Sequence, residues 1–210
     1  MSSVPSPQRV HEPVVTIFEL YGAGAGYIGR RVAAELQVPF HAQAFTSEEL
    51  ESGPDAALEQ SAVLATVYAS LGGAYGGFEG RDVVATQQQK YDLVMDNNRA
   101  VRADAAQGGV IVGRNGTVIL ADRPSTVHVL LTGAVEDRVR RAAQESGIPL
   151  DRAAARQKRE DEVRAQMSQV LYGWDPRVPD RYDMVLNTSR LPLDSVAQAI
   201  VTAVRTGVAS

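Results

Sequence analysis

The sequence predicts an α/β fold built on a parallel sheet, because apolar runs of strand length alternate with helical patterns along the chain. A glycine-rich turn at residues 22–29 directly follows the apolar run 14–18 and leads into the helical pattern 30–36. A strand, a glycine turn and a helix N-terminus together form a phosphate-binding loop, since backbone amides and the helix dipole both point into the turn. The length of 210 residues and a hydrophobic content of 44% fit one core.

The remaining elements follow in order. Extended backbone is expected at 38–40, and Thr46 with Glu49 predicts a capping box for the next helix. Further along we expect helices over 55–70 and 86–107, strands at 110–112 and 127–131, helices over 135–146 and 151–170, a strand at 182–186 and a helix over 193–204.

The ends and loops complete the predicted organisation. Residues 1–12 are rich in Pro, Ser, Gln and Glu, which predicts a disordered tail, and residues 13–210 are expected to form a single domain. The glycine cluster 72–77 does not lie between a strand and a helix, so it predicts a mobile loop rather than a second phosphate site.

The amino-acid composition argues against several classes of partner and site. The chain has 21 basic and 25 acidic residues and a net charge of −4, which argues against nucleic acid as a partner. It has no cysteine, which excludes disulfides, thiolate catalysis and cysteine-ligated metals, and its three histidines are far apart, so no metal site is expected. No apolar run approaches the roughly 20 residues of a membrane span, and a cytoplasmic protein without a membrane partner is expected.

Three loops are expected to meet at the carboxyl edge of the sheet, where ligands bind in open α/β folds: the Gly22 turn, residues 113–115 and residues 186–190. Arg114 follows a buried strand, so its guanidinium could clamp a phosphate through two hydrogen bonds. The alternative for Arg114 is an ion pair with a helix acid. The basic run 156–164 is either a solvated helix face or a set of phosphate ligands.

The glycine turn lacks two groups that a Walker A loop contains, a lysine and the Ser or Thr that holds Mg²⁺. The turn contains no lysine, serine or threonine, and Lys90 and Lys158 are the only lysines in the chain. Phosphoryl transfer depends on neutralising charge, and one lost electrostatic donor costs about 3–4 kcal/mol. The sequence therefore predicts phosphate binding with incomplete catalytic machinery.

Five motifs in order resemble the cytidylate kinase-like branch of the nucleoside monophosphate kinases. They lie at residues 21–29, 111–116, 136–140, 161–164 and 182–190, and the resemblance spans roughly residues 13–205. It implies a three-layer P-loop kinase fold with a five-stranded parallel sheet and a helical lid at about residues 151–175. It also implies Mg²⁺-dependent phosphoryl transfer from ATP to CMP or dCMP, so that nucleotides are the expected partners.

The resemblance also implies roles for individual residues. The donor phosphates would be wrapped by Gly22, Ala23, Gly24, Ala25, Gly26, Tyr27 and Ile28. The acceptor would be bound by Arg114, Asn115 and Asp161, although Asn115 stands where cytidylate kinases have an aspartate. The catalytic arginines would be Arg114, Arg159 and Arg164, the last two from the lid.

Departures from the family pattern concentrate at the loop, where aligning the glycines places Ala25 at the Walker lysine and Tyr27 at the magnesium-binding Ser or Thr of true cytidylate kinases. Leu20 stands where the branch tends to have an acid, and the adjacent Glu19 could substitute for it. Arg30 or Arg31 could supply the missing positive charge or point to solvent, and Tyr27 could stack on a base or plug the phosphate site.

Three functions therefore stay open. The first is an active or weakly active nucleoside monophosphate kinase, and the second is a pseudokinase that acts as a nucleotide sensor or interaction module. The third is a dinucleotide-binding domain, because residues 24–29 fit the GxGxxG spacing, but the acids at the required distance, Glu48 and Glu49, fall at a helix start. The apolar, glycine-rich segment 71–78 is expected to form either a homodimer interface or a flexible cover.

Overall fold

The computed structural model describes residues 11–60, 62–71 and 83–207, and it confirms an α/β fold with a five-stranded parallel sheet. Residues 1–10 of the tail expected over 1–12 and the glycine cluster 72–77 lie outside the described residues. The strands are β1 (Val14–Glu19), β2 (Phe40–His41), β3 (Gly109–Val112), β4 (Thr126–Thr132) and β5 (Met184–Asn187). They are arranged in the order β2-β3-β1-β4-β5.

Helices cover both faces of the sheet, which gives three layers. The α-helices in the described part of the chain are α1 (Ala25–Leu36), α2 (Ser47–Gln60), α3 (Ala62–Leu71), α4 (Val83–Ala105), α5 (Gly116–Ile119), α6 (Val135–Ser146), α7 (Leu150–Tyr172) and α8 (Leu193–Thr206), and a 3₁₀ turn covers Pro179–Arg181. The main core joins α1 and α8 to one face of the sheet, and a second cluster joins α4 to the other.

β1 lies at the centre of the sheet, and its position explains its sequence. Val14, Val15 and Ile17 are buried, as expected for a parallel strand that is covered on both faces. β1 pairs with β3 and β4, with Ile17 opposite Val112, so the carboxyl ends of β1 and β3 lie side by side. This register brings the glycine turn next to residues 113–115.

The strand order also tests one of the three functions that the sequence leaves open, the dinucleotide-binding domain. In the dinucleotide-binding fold the first strand lies beside the second, whereas here β1 lies between β3 and β4. The chain that follows β2 contains no acid until Glu48, which lies in α2. The dinucleotide-binding alternative is therefore wrong.

Several boundaries differ from the predicted ones. α1 begins at Ala25 rather than at residue 30, because Gly24 takes a left-handed conformation (φ 92°) as the N-cap and the second half of the glycine turn is already helical. The single helix expected over 55–70 is wrong: α2 begins at Ser47, is kinked at Gly53 (φ 77°), and ends before a separate α3. β5 begins at Met184 rather than at residue 182. The capping box is confirmed, since the Glu49 amide donates to Thr46 Oγ1 and the Thr46 amide donates to the Glu49 carboxylate.

α7 packs against α6, α2 and α3 and covers the carboxyl edge of the sheet. Its buried positions include Ala153, Arg156, Glu160 and Val163, at helical spacing. Arg156 is buried because it pairs with Glu48 and Glu51 of α2. The basic run is therefore not a solvated face along its whole length. Within the described residues, no helix is long and apolar enough to cross a membrane.

Candidate functional site

The glycine loop is shaped by contacts that exclude side chains. Residues 20–24 connect β1 to α1, and Gly22 (φ 77°) lies so close to α6 that a Cβ atom would be 2.3 Å from the Arg138 carbonyl oxygen. A Cβ on Gly24 (φ 92°) would lie 3.2 Å from the Leu193 side chain. Gly22 therefore requires glycine for space as well as for its left-handed backbone, whereas Gly24 requires it mainly for the left-handed backbone.

Two arginines of α6 hold the loop from its carbonyl side. Arg138, which is 3% exposed, donates to the Tyr21 carbonyl at 2.8 Å. Arg141 donates to the Gly22 carbonyl at 2.7 Å and to the Thr188 carbonyl at 2.8 Å. The C=O and N–H of a trans peptide point in opposite directions, so these bonds turn the next amides away from α6.

Two amides of the loop are bound by carboxylates of the protein itself. The Ala25 amide donates to Glu19 Oε2 at 3.0 Å, and the Tyr21 amide donates to Asp161 Oδ1 at 2.7 Å. The Ala23 amide bonds to the Leu20 carbonyl and the Ile28 amide to the Gly24 carbonyl. Among the contacts of the described residues, no acceptor is found for the remaining amides of the turn, those of Gly22, Gly24, Gly26 and Tyr27.

Glu19 lies at the end of β1, between the loop and a large cavity. Its second oxygen, Oε1, accepts a hydrogen bond of 3.0 Å from Gln43 Nε2. Burial raises the pKa of the Glu19 carboxyl, and Glu160 acts in the same direction. The Ala25 amide and Arg164 lower this pKa, but they do not outweigh burial.

The side chains next to the loop do not restore the missing Walker groups. Tyr27 reaches α8, where its hydroxyl donates to Asp194 at 2.8 Å, so it is directed away from the loop. Arg31 pairs with Glu35 on the surface of α1. The Arg30 guanidinium lies 5.4 Å above the Phe40 ring and close to Gly26, so it is the nearest of these cations to the helix N-terminus.

A cavity of about 540 Å³ opens beside the loop. Much of its wall is apolar, and its polar groups come from the ends of β1 and β3 and from two helices. The residues that line it are Phe18, Glu19, Ala42, Gln43, Ala44, Phe45, Val63, Val67, Leu93, Asp96, Asn97, Ala100, Gly113, Arg114, Asn115, Arg164, Met167, Ser168, Leu171 and Tyr172. Of the three loops expected at this edge, residues 113–115 line the cavity, whereas neither the Gly22 turn nor residues 186–190 contribute to its lining.

The segment after β3 is held in an unusual conformation. Gly113, Arg114 and Asn115 all have positive φ, at 67°, 57° and 55°. A left-handed non-glycine residue costs about 1–2 kcal/mol, so other contacts must hold this segment. Asn97 of α4 donates to the Arg114 carbonyl at 2.9 Å, and Trp174 donates to Asn115 Oδ1 at 2.9 Å.

The Arg114 guanidinium forms an ion pair of 2.6 Å with Asp104 and also faces the cavity. Arg114 can thus form an ion pair and contact a ligand in the cavity at the same time, so its two alternatives do not exclude each other. Asn115 lines the same cavity.

The three expected lid residues lie in different places on α7. Arg164 lines the cavity and pairs with Glu160 at 2.7 Å, and its side chain is 14% exposed. Arg159 lies outside the cavity and donates to the Glu51 carbonyl. Asp161 binds the loop, where it also accepts from Arg138 at 3.1 Å, and it does not line the cavity.

Sequence reasoning missed several polar residues of the site. Gln43, Asn97 and Tyr172 line the cavity, but they come from segments that are far apart in the chain. Glu19 was noted only as a replacement for a neighbouring acid. Its position at the end of β1 is a signal, since strand ends supply ligand residues in this fold class. No cluster of three or more His, Cys, Asp or Glu that could hold a metal ion occurs in the part of the chain that the structure describes.

Two curated relatives share about half of the chain. It is 29% identical over 109 residues to a uronate isomerase from Corynebacterium glutamicum, a match that covers 52% of this chain and 21% of that protein. It is 28% identical over 117 residues to a cytidylate kinase from Ignicoccus hospitalis, which covers 56% of this chain and 67% of the kinase. The chain thus spans about a fifth of the first relative and two thirds of the second.

Solved structures are similar in fold. An uncharacterized protein from Eubacterium ventriosum has a TM-score of 0.65 at 17% identity, with 93% of this chain and 99% of that chain covered. A gluconokinase from Sinorhizobium meliloti has a TM-score of 0.50 at 14% identity, with 94% of each chain covered. A model of the cytidylate kinase-like family matches residues 14–190. Because this match covers most of the chain, and the sheet has the expected P-loop kinase topology, the protein belongs to the cytidylate kinase-like family.

Proposed function

We propose that this protein binds a nucleoside monophosphate, with CMP or dCMP as the first choice, and transfers phosphoryl groups weakly or not at all. The observation that carries the proposal is the presence of two arginines, Arg114 and Arg164, on one cavity of about 540 Å³ beside a phosphate loop without lysine. A protein of this kind would sense a nucleotide or present it to a partner.

The cavity suits the acceptor of the family reaction. Its volume lies within the range of about 300–1,000 Å³ that is typical of small-molecule sites. Apolar side chains such as Phe18, Phe45 and Met167 offer a surface for a flat base. Arg114 and Arg164 bring positive charge to the same space, and a guanidinium binds phosphate through two parallel hydrogen bonds.

The donor side does not fit MgATP. No ammonium group lies in the loop, and Tyr27 stands where a hydroxyl would bind the metal, with its side chain directed to Asp194. Each lost electrostatic contact costs about 3–4 kcal/mol, or a factor of about 10²–10³ in rate. If transfer takes place, ATP and Mg²⁺ are the expected donor and metal, and Arg30, which lies close to Gly26, is a cation near the start of α1.

Isothermal titration calorimetry with CMP, dCMP, UMP, AMP and GMP tests the proposal. We expect one of these nucleotides to bind, and Arg114→Ala and Arg164→Ala to weaken binding roughly 10- to 100-fold, because each loses a charge-assisted contact to phosphate. Lys158→Ala is the matched control, since it removes a positive charge from an exposed position on the same helix as Arg164.

A second measurement separates binding from transfer. ADP formation from ATP, Mg²⁺ and the bound monophosphate is expected to be undetectable or slow. Rapid turnover would support the active kinase instead, whereas wild-type protein that binds none of the five nucleotides would contradict the proposal. Far-UV circular dichroism of each variant shows whether it is folded, because Arg114 also pairs with Asp104.

A further inference from the structure

The side chain of Glu19 binds the first amide of α1. Its Oε2 atom lies 3.0 Å from the Ala25 nitrogen, and its Oε1 atom lies 3.0 Å from Gln43 Nε2. Both oxygens therefore have a partner in the folded chain. The carboxylate occupies a helix N-terminus, which is the part of this fold that otherwise attracts phosphate.

Glu19 lies at a position where the Walker A pattern has a glycine. In the Walker A pattern GxxxxGK, the first glycine lies five residues before the second and six before the lysine. With Gly24 as the second glycine and Ala25 at the lysine, Glu19 stands at the first glycine. The chain thus has a carboxylate where the pattern has no side chain, and that carboxylate binds the amide of the residue at the lysine position.

The loop is acidic on a second side. Asp161 of α7 accepts the Tyr21 amide at 2.7 Å and is held by the buried Arg138. Glu160 lies near enough to raise the pKa of Glu19. A polyphosphate that enters the loop could reach the Ala25 amide only by displacing Glu19, and it would lie beside both carboxylates.

We infer that Glu19 is a specificity-determining residue that fills the donor phosphate position from within, so that the loop rejects polyphosphate chains while the neighbouring cavity stays open to a monophosphate. Only the second part of this inference, that the cavity stays open to a monophosphate, rests on the proposed function. The mechanism is competition between the Glu19 side chain and a phosphate group for the Ala25 amide. Replacing Glu19 should therefore raise the affinity of the loop for polyphosphate.

The test uses sodium tripolyphosphate and ATP as probes, each titrated calorimetrically at pH 7.5 without metal and then with Mg²⁺. Glu19→Gln removes the charge and keeps the bulk, and Glu19→Ala removes both. We expect the affinity for tripolyphosphate to rise roughly 10- to 100-fold in Glu19→Ala, because an amide that was bonded to a carboxylate becomes available for a charge-assisted bond. Glu19→Gln is expected to give a smaller gain. Glu35→Gln, on the exposed face of α1, is the matched control and should behave as the natural chain does.

Two results would overturn the inference: micromolar binding of tripolyphosphate by the natural protein, or equal affinities in the natural protein and both Glu19 variants. If Glu19→Ala fails to fold, Glu19→Gln still tests the effect of charge. CMP binding to the natural protein is measured alongside. Its absence, together with a gain in tripolyphosphate affinity in the variants, would refute the proposed function while leaving the role of Glu19 intact.

Discussion

Glu51 joins α2 to α7 through ion pairs, and neutralising it should lower the free energy of unfolding. Its carboxylate accepts hydrogen bonds from Arg152, at 3.0 and 2.8 Å, and from Arg156, at 2.9 and 2.6 Å. Arg156 is 3% exposed, so the guanidinium in its ion pair with Glu51 is largely shielded from water. The perturbation is Glu51→Gln, which keeps the shape of the side chain and removes its charge.

The magnitude follows from the pKa. Hydrogen bonds from Arg152 and Arg156 lower the pKa of Glu51 from 4.5 to about 2. At about 1.4 kcal/mol for each pKa unit, this corresponds to an upper limit of about 3.5 kcal/mol. The Glu51 side chain is 28% exposed, so screening by solvent reduces the expected loss of unfolding free energy to about 1–2 kcal/mol at pH 7.

The sign of the pH dependence is fixed by the direction of this shift. The folded-state pKa lies below the unfolded value, so the stabilisation is complete above about pH 4.5 and is lost as the pH falls towards 2. Urea unfolding followed by circular dichroism at pH 7, 5 and 3 measures it. The difference between the natural protein and Glu51→Gln should shrink to less than half at pH 3.

Asp122→Asn is the control, because it removes a carboxylate from an exposed turn. A difference for Glu51→Gln that is absent at pH 7, or that is as large at pH 3 as at pH 7, would refute the reasoning. The first result would mean that the ion pairs contribute nothing to stability. The second would mean that the effect of the substitution does not depend on the charge of Glu51.

Two further predictions concern the loop and the segment after β3. Gly22→Ala should lower the unfolding free energy by at least about 2 kcal/mol, because the new Cβ would lie 2.3 Å from the Arg138 carbonyl oxygen, whereas Gly147→Ala, at a similar φ of 64° but in open space, should cost only about 1 kcal/mol in the same urea titration. Equal losses would show that backbone conformation alone matters. The single tryptophan, Trp174, donates to Asn115 on the cavity wall, so its fluorescence should change on titration with CMP and this change should vanish in Trp174→Phe. Constant emission while calorimetry records binding would place the nucleotide elsewhere.

The sequence predicted the sheet better than the site. Strands show as apolar runs because a parallel strand is buried on both faces, and Arg114 and Asn115 could be assigned to a strand end from the chain alone. The division of the 55–70 region into two helices was missed, because its apolar positions have a spacing that fits one amphipathic helix.

The side-chain contacts of the loop were missed for a different reason. The pairing of Asp161 with the Tyr21 amide joins residues 140 positions apart, and the pattern along one helix carries no trace of it. Arg156 shows the same limit, since its burial depends on Glu48 and Glu51 from another helix. Patterns along the chain report which face is apolar, but they do not report which charges are neutralised across space.

Two arginines of α6 bring positive charge to the carbonyl side of the glycine loop, which has no lysine of its own. Arg138 and Arg141 bind the carbonyl oxygens of Tyr21 and Gly22, which belong to the same peptide units as the amides of Gly22 and Ala23. A cation bonded to one end of a peptide group draws electron density through it and makes the N–H at the other end a stronger donor. The guanidinium groups therefore strengthen the loop amides as donors without contacting a ligand themselves. A substitution in α6 would change the donor strength of these amides and leave the ligand-facing surface of the loop unchanged.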